Sequence, residues 1–181
     1  MELEKRAKLN NPQNVIDSLI KLGAVNIGEK IQVDDYFGSI ELFKKLGYSF
    51  VSRIRKSNEK FFLTVKTAKH NKDGVWEEYE TELKEPKTFE NMFFAMGFER
   101  VIKVTKTRKM FKLGDFTANI DYFEGRGTFI EVELISETDE SSRLWDLLKE
   151  IGVNENDIIN IGYISIFLKE INSPYAEYIK N

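Results

Sequence analysis

The feature that most constrains this chain is a pattern its strand-like stretches share: charged side chains fall on one face, as like-signed pairs with one residue between them. Glu2-Leu3-Glu4-Lys5-Arg6-Ala7-Lys8-Leu9 shows it first. Successive residues of a strand point to opposite faces, so Glu2, Glu4, Arg6 and Lys8 share one side and Leu3, Lys5, Ala7 and Leu9 the other. Alone, such a row fits an ordinary solvated edge strand. It recurs, however, as the acids Glu78/Glu80 (with Glu82 in phase) and Glu131/Glu133, and as the bases Arg53/Arg55 and Lys106/Arg108.

The strands carrying these rows are separated by turn and helix signals. Asn10-Asn11-Pro12 caps a helix with Val15, Leu19 and Leu22 at helical spacing, which Gly23 stops. A strand over 24–37 places Gln32, Asp34 and Tyr36 on one face, and a short helix over 40–46 leads through Gly47 to a strand over 49–56. Ser57-Asn58-Glu59 reads as a hairpin turn into 60–66, where Phe62, Thr64 and Lys66 share a face. A polar connection over 67–74, including His70, is an exposed loop with no assigned role, and alternation returns over 75–83. A helix from Pro86 through Met96 is expected to bury Phe89, Met92, Phe93 and Met96. Strands follow over 99–112, 116–123 and after Gly127, with Asn119 and Asp121 in phase; then come a helix from Glu137 to Gly152 and a helical tail over 154–181 packed through Ile161, Tyr163, Ile166 and Phe167.

About eight strands with short turns predict an antiparallel sheet in an α+β protein. If the strands close into an eight-stranded β-barrel tunnel, the apolar faces pack on helices outside and the charged faces line the lumen. At 181 residues the chain is read as one domain. Its net charge of −3 argues against a surface that grips nucleic acid or anionic membrane as a whole, so a basic site must be local. No cysteine and one histidine exclude a disulfide framework and leave little for soft-metal ligation. With no apolar run of membrane length, the reading is a cytoplasmic protein.

Grouped carboxylates without cysteine or histidine suit a hard cation, magnesium or manganese, and are expected to repel one another when no metal is bound. Converging arginines and lysines suit a polyphosphate. Together they are what phosphoryl chemistry needs.

The same residues resemble a known family. Glu2-x-Glu4-x-Arg6 resembles the ExExK signature of the CYTH superfamily, the triphosphate tunnel metalloenzymes, and the likeness continues through Gln32-x-Asp34-x-Tyr36-Phe37, Arg53-x-Arg55, Lys66, Glu78-x-Glu80, Lys106-x-Arg108, Asp121 and Gly127-x-Phe129-x-Glu131-x-Glu133. The resemblance implies an eight-stranded antiparallel tunnel and a divalent metal, Mg2+ or Mn2+, held at Glu2, Glu4, Glu131 and Glu133. It further implies a triphosphate on Arg6, Lys8, Arg53, Arg55, Lys66, Lys106 and Arg108. Catalytic roles fall to Arg6, Lys66 and Asp121, and Glu78, Glu80 and Tyr36 are further candidates, Tyr36 more readily as a core tyrosine than as a proton relay. Three positions depart from the family pattern: Arg6 stands where the signature has lysine, Trp76 where relatives often carry arginine, and Arg126 where an apolar residue is usual.

By this likeness the function is that of a class IV adenylate cyclase, converting ATP to cyclic AMP and pyrophosphate. The alternatives are a triphosphatase acting on thiamine, inorganic or nucleoside triphosphate, and a module that binds triphosphate without turnover. A homodimer is compatible with the sequence; nucleic acid and membrane are not expected partners.

Overall fold

Local signals set the helix ends in the computed structural model, which describes residues 2–67 and 77–179, the side chain of Glu2 excepted. Helix α1 (Pro12–Lys21) starts where the Asn11 side chain accepts the Asn14 N–H at 3.2 Å, with proline in the first turn. Helix α2 (Ile40–Leu46) is capped by Ser39 and ended by Gly47 at φ 73°. Helices α3 (Pro86–Ala95), α4 (Ser141–Glu150) and α5 (Tyr163–Glu170) complete the described set.

Nine strands are present among the described residues: β1 (Glu2–Leu9), β2 (Val25–Gly38), β3 (Phe50–Ser57), β4 (Lys60–Thr67), β5 (Glu77–Leu83), β6 (Glu99–Leu113), β7 (Phe116–Phe123), β8 (Gly127–Ile135) and the two-residue β9 (Ile158–Ile159). The sheet is antiparallel, in the order β5-β4-β3-β2-β6-β7-β8-β1-β9. Two features differ from the closed eight-stranded ring expected from the sequence. Among the described residues the order of pairing has ends, at β5 and β9, and the ninth strand comes from the tail, which was read as helical throughout. Residues 155–159 instead form a 3-10 turn and then pair with Arg6 and Ala7.

The chain forms two compact units, Met1–Ile31 with Lys106–Asn160 and Gln32–Thr105 with Ile161–Asn181. In the first, strand alternation sends Ala7, Ile120, Ile130, Val132 and Leu134 to one face, where they pack with Val15 and Leu19 of α1 and Leu144, Leu147 and Leu148 of α4. In the second, Phe37, Ile54 and Leu83 pack with Phe93 of α3, and the Phe37 and Phe93 rings stack at 4.9 Å. The expected stripe on α3 is narrower than predicted. Phe93 is buried and Phe89 lies against the core, but Met92 and Met96 are exposed, because α3 has a single contact face and those residues point away from it. In the tail, Phe167 is buried as expected, with Ile164 and Leu168, whereas Ile161, Tyr163 and Ile166 are half-buried. His70 and Trp76 lie outside the described residues. No helix among the described residues is long and apolar enough to cross a membrane.

Of the described glycines, Gly38 leaves the least room for a side chain. A Cβ there would meet Tyr175 Cε1 at 2.9 Å, Phe43 Cε2 at 3.1 Å and Val101 Cγ2 at 3.2 Å. Tyr175 is poorly placed to yield, since its hydroxyl donates to the Gly38 carbonyl at 3.2 Å and lies 3.0 Å from Glu99 Oε2. Gly38→Ala is therefore expected to lower unfolding stability by about 1–3 kcal/mol in urea titration. An unchanged midpoint would show that this contact relaxes freely.

Candidate functional site

In the first unit, register brings the charged rows together. Arg6 stands opposite Glu131, Glu4 opposite Glu133, Lys8 opposite Phe129, and Arg108 opposite Asp121. All lie on the face turned away from the α1 and α4 core.

These side chains form one connected network. Arg6 Nε donates to Glu131 Oε2 at 2.7 Å and its Nη2 to Glu4 Oε1 at 2.5 Å. Arg108 Nη2 donates to Glu131 Oε1 at 2.8 Å, and the same guanidinium forks onto Asp121 with two bonds of 2.6 Å. Lys106 Nζ donates to Asp121 at 2.8 Å, and Asn119 Nδ2 to Glu133 at 2.9 Å. Asp121 has no exposed surface and Glu131 is 6% exposed, so their charges rest on these donors. Burial alone would raise the Glu131 pKa; the adjacent Arg108, Arg6 and Lys106 outweigh it and hold the carboxyl well below its ordinary value. Burial would likewise lower the Arg108 pKa, but its bond to Asp121 and the charges of Glu131, Asp121 and Glu133 raise it instead. This differs in part from the expectation of mutually repelling carboxylates: cations outweigh burial at Glu131, while Glu133 stays beside it and opposite Glu4. Lys8 is exposed, its stem beside Gly127.

The second unit repeats the principle. Asp34 lies opposite Arg55, Tyr36 opposite Arg53, Arg53 opposite Thr64, and Lys66 opposite Glu78. Arg55 forks onto the buried Asp34 with two bonds of 2.7 Å. Arg53 is held more loosely, by Thr64 Oγ1 at 3.2 Å and carboxylates of Asp34, Glu78 and Glu80 at 3.9–4.0 Å. Lys66 Nζ pairs with Glu78 at 2.7 Å, and Thr64 Oγ1 donates to Glu80 at 2.8 Å. Tyr36 is buried, and its hydroxyl is 3.4 Å from Asp34 Oδ2. Burial and then the Asp34 charge raise its pKa, which favours a protonated core phenol over a proton relay.

The carboxylates of Glu4, Glu131 and Glu133 offer only oxygen, and that donor chemistry fits a hard divalent cation. As the side chains stand, no three carboxylates among the described residues converge closely enough to hold an ion. Glu4 and Glu131 are instead engaged by the chain's own guanidinium groups. Three contributors were not among the candidates read from the sequence: Asp34, Asn119 and Thr64. Asp34 and Asn119 were visible as in-phase polar residues, but their partners depend on register across strands.

A model of the CYTH domain matches residues 1–163. The chain belongs to the CYTH family. It is 31% identical over 173 residues, 92% of this chain and 98% of the other, to the Methanocaldococcus jannaschii protein named Putative adenylate cyclase MJ0240. Among solved structures it resembles the PH1012 protein of Pyrococcus horikoshii OT3, with TM-score 0.76, 25% identity and 99% of each chain covered. It also resembles, in fold, a Hippeastrum protein described as a putative adenylyl cyclase with a dominant triphosphatase activity, with TM-score 0.67, 18% identity and 94% and 96% of the two chains covered. The antiparallel sheet and its helices are thus the CYTH fold.

The Glu131 pairs have a measurable consequence for the CYTH domain. Because its folded pKa is depressed, its contribution to stability is present above the ordinary glutamate value of about 4.3 and is lost as pH falls below it. Glu131→Gln should therefore destabilise the ligand-free protein at pH 7 by about 1–3 kcal/mol in urea unfolding, and converge on wild type as pH falls. A variant as stable as wild type at pH 7 would mean these pairs add nothing.

Proposed function

We propose that this CYTH protein is a divalent-metal-dependent adenylate cyclase. The observation that carries the proposal is the charged face of the first unit, where carboxylates of β1 and β8 stand beside cations of β1 and β6; the relative named as a putative cyclase, matched over nearly the whole of both chains, supports the choice of reaction. In this reading Glu4, Glu131 and Glu133 hold the metal, with Glu2 next in their row. Arg6, Lys8, Lys106 and Arg108 bind phosphate, as do Arg53, Arg55 and Lys66 in the second unit. Asp121 acts through Lys106 and Arg108, whose positions it fixes. Glu78 and Glu80 orient Lys66 and Thr64.

Charge explains why metal belongs in the scheme. On this face of the first unit the four carboxylates Glu4, Asp121, Glu131 and Glu133 offset the four cations Arg6, Lys8, Lys106 and Arg108, so there is no excess positive charge to draw in a polyanion. A bound magnesium or manganese ion supplies the missing positive charge and neutralises phosphate oxygens. The arginines and lysines then hold the triphosphate so that the ribose 3'-hydroxyl faces the α-phosphorus. A new oxygen–phosphorus bond forms there, the α–β bridge breaks, and pyrophosphate leaves as the hydroxyl proton is lost.

A second reading is hydrolysis of a triphosphate by water. It uses the same clusters, whose carboxylates, cations, amide and hydroxyls suit phosphate and metal in either reaction.

Chromatography of products from ATP with magnesium or manganese separates the two. Cyclic AMP with pyrophosphate is expected, and slow turnover at best of inorganic triphosphate, which has no ribose hydroxyl. ADP with orthophosphate, or rapid triphosphate breakdown without a cyclic product, would establish hydrolysis instead.

The two arginines of β3 should also separate. Arg53→Ala is expected to weaken binding of a non-hydrolysable ATP analogue by about 1.5–3 kcal/mol in calorimetry with little loss of stability. Arg55→Ala should destabilise the fold by more, because it removes the fork on buried Asp34. Unchanged affinity in Arg53→Ala would remove Arg53 from the phosphate contacts.

A further inference from the structure

We infer that Arg6 is an internal counter-ion that competes with the divalent metal for Glu4 and Glu131, so that metal enters only as Arg6 lets go. The inference rests on the assignment of these carboxylates to the metal site, and deepens it.

The geometry points to Arg6 rather than its neighbours. Its guanidinium bridges two of the proposed ligands at once, Nε on Glu131 and Nη2 on Glu4, at 2.7 and 2.5 Å. Arg108 also touches Glu131, but its fork is committed to the fully buried Asp121, which would be left without that partner if Arg108 moved. On these two ligands Arg6 makes single bonds rather than a fork, one to each carboxylate. Glu4 is partly open to solvent, with its side chain 34% exposed, so one end of the bridge can open without burying a bare charge.

Arginine at this position matters chemically. A guanidinium is planar and carries several donors in a fixed fork, so it can span two carboxylates that one compact ammonium group would span less well. Arg6 is thus a stronger occupant of the chain's own metal ligands than a lysine at the same position. Once displaced, the same guanidinium is available to phosphate oxygens, so release from the carboxylates and capture of the triphosphate become one movement. Metal alone then binds weakly, since it must break two charge-assisted hydrogen bonds to enter.

Isothermal titration with Mn2+ alone, without nucleotide, tests this without recourse to activity. Arg6→Gln should bind Mn2+ at least tenfold more tightly than wild type, and Arg6→Lys should lie between them. Circular dichroism melting confirms that each variant is folded, and Arg6→Lys keeps the test available if Arg6→Gln is not. Glu133→Gln serves as the control that should lose Mn2+. Equal or weaker Mn2+ binding by Arg6→Gln and Arg6→Lys, with binding lost in Glu133→Gln, would overturn the competition while leaving the metal site standing. Failure of wild type and both Arg6 variants to bind Mn2+, or Mn2+ binding that survives in Glu133→Gln, would overturn the metal-site assignment and this inference with it.

Discussion

A cation directly opposite a carboxylate on the next strand is the interaction on which the charged face of each unit depends. Arg6 faces Glu131, Arg55 faces Asp34, Arg108 faces Asp121, and Lys66 faces Glu78. Directly opposed side chains in an antiparallel pair lie about 4.5–5.5 Å apart at Cβ, within reach of a short ion pair. The opposite face of β1, β7 and β8 carries Ala7, Ile120, Ile130, Val132 and Leu134, so a slip of one residue there would send a buried aspartate or glutamate into the core and expose aliphatic side chains. Charge pairing and hydrophobic burial therefore select the same register.

Such a face is an expensive way to build a sheet. Apolar residues of similar size can stabilise an interior as well as a buried ion pair does, whereas removing one partner of such a pair is strongly destabilising. The network in the first unit departs from what stability alone requires, and perturbed ionisable groups gather at functional sites. Its components match the demands of phosphoryl chemistry: oxygen donors for a hard metal, guanidinium forks for phosphate, and the buried Asp121 that fixes two of the cations.

Much of this was legible in the sequence because a strand's two-residue period sorts residues by face without reference to partners. The shared face of Glu4 and Arg6, that of Lys106 and Arg108, the turn after Ser57, and the helix starting at Pro12 all follow from local spacing. What was not legible depends on which strand lies beside which. Asp34 is one in-phase acid until Arg55 is placed opposite it, and Asn119 gains its role only through Glu133. The two-residue strand β9 carries too few residues to show a period, and its pairing with β1 is a tertiary event. On α3 the helical period was correct, but periodicity gives the direction of a stripe and not the width of the surface that covers it; hence Met92 and Met96 lie in solvent. The expected repulsion among carboxylates is offset across the strands at Glu131, which faces Arg6, but not at Glu4, which faces Glu133.

The central claim is that the carboxylates of β1 and β8 hold the metal that brings in a triphosphate. Anomalous diffraction from crystals grown with manganese and a non-hydrolysable ATP analogue tests it most directly. A manganese peak is expected at bonding distance from carboxylate oxygens of Glu131 and Glu133, with Arg6 withdrawn from Glu131 and turned to a phosphate. A manganese peak at other carboxylates, or an analogue bound without manganese while Arg6 still grips Glu131, would contradict it.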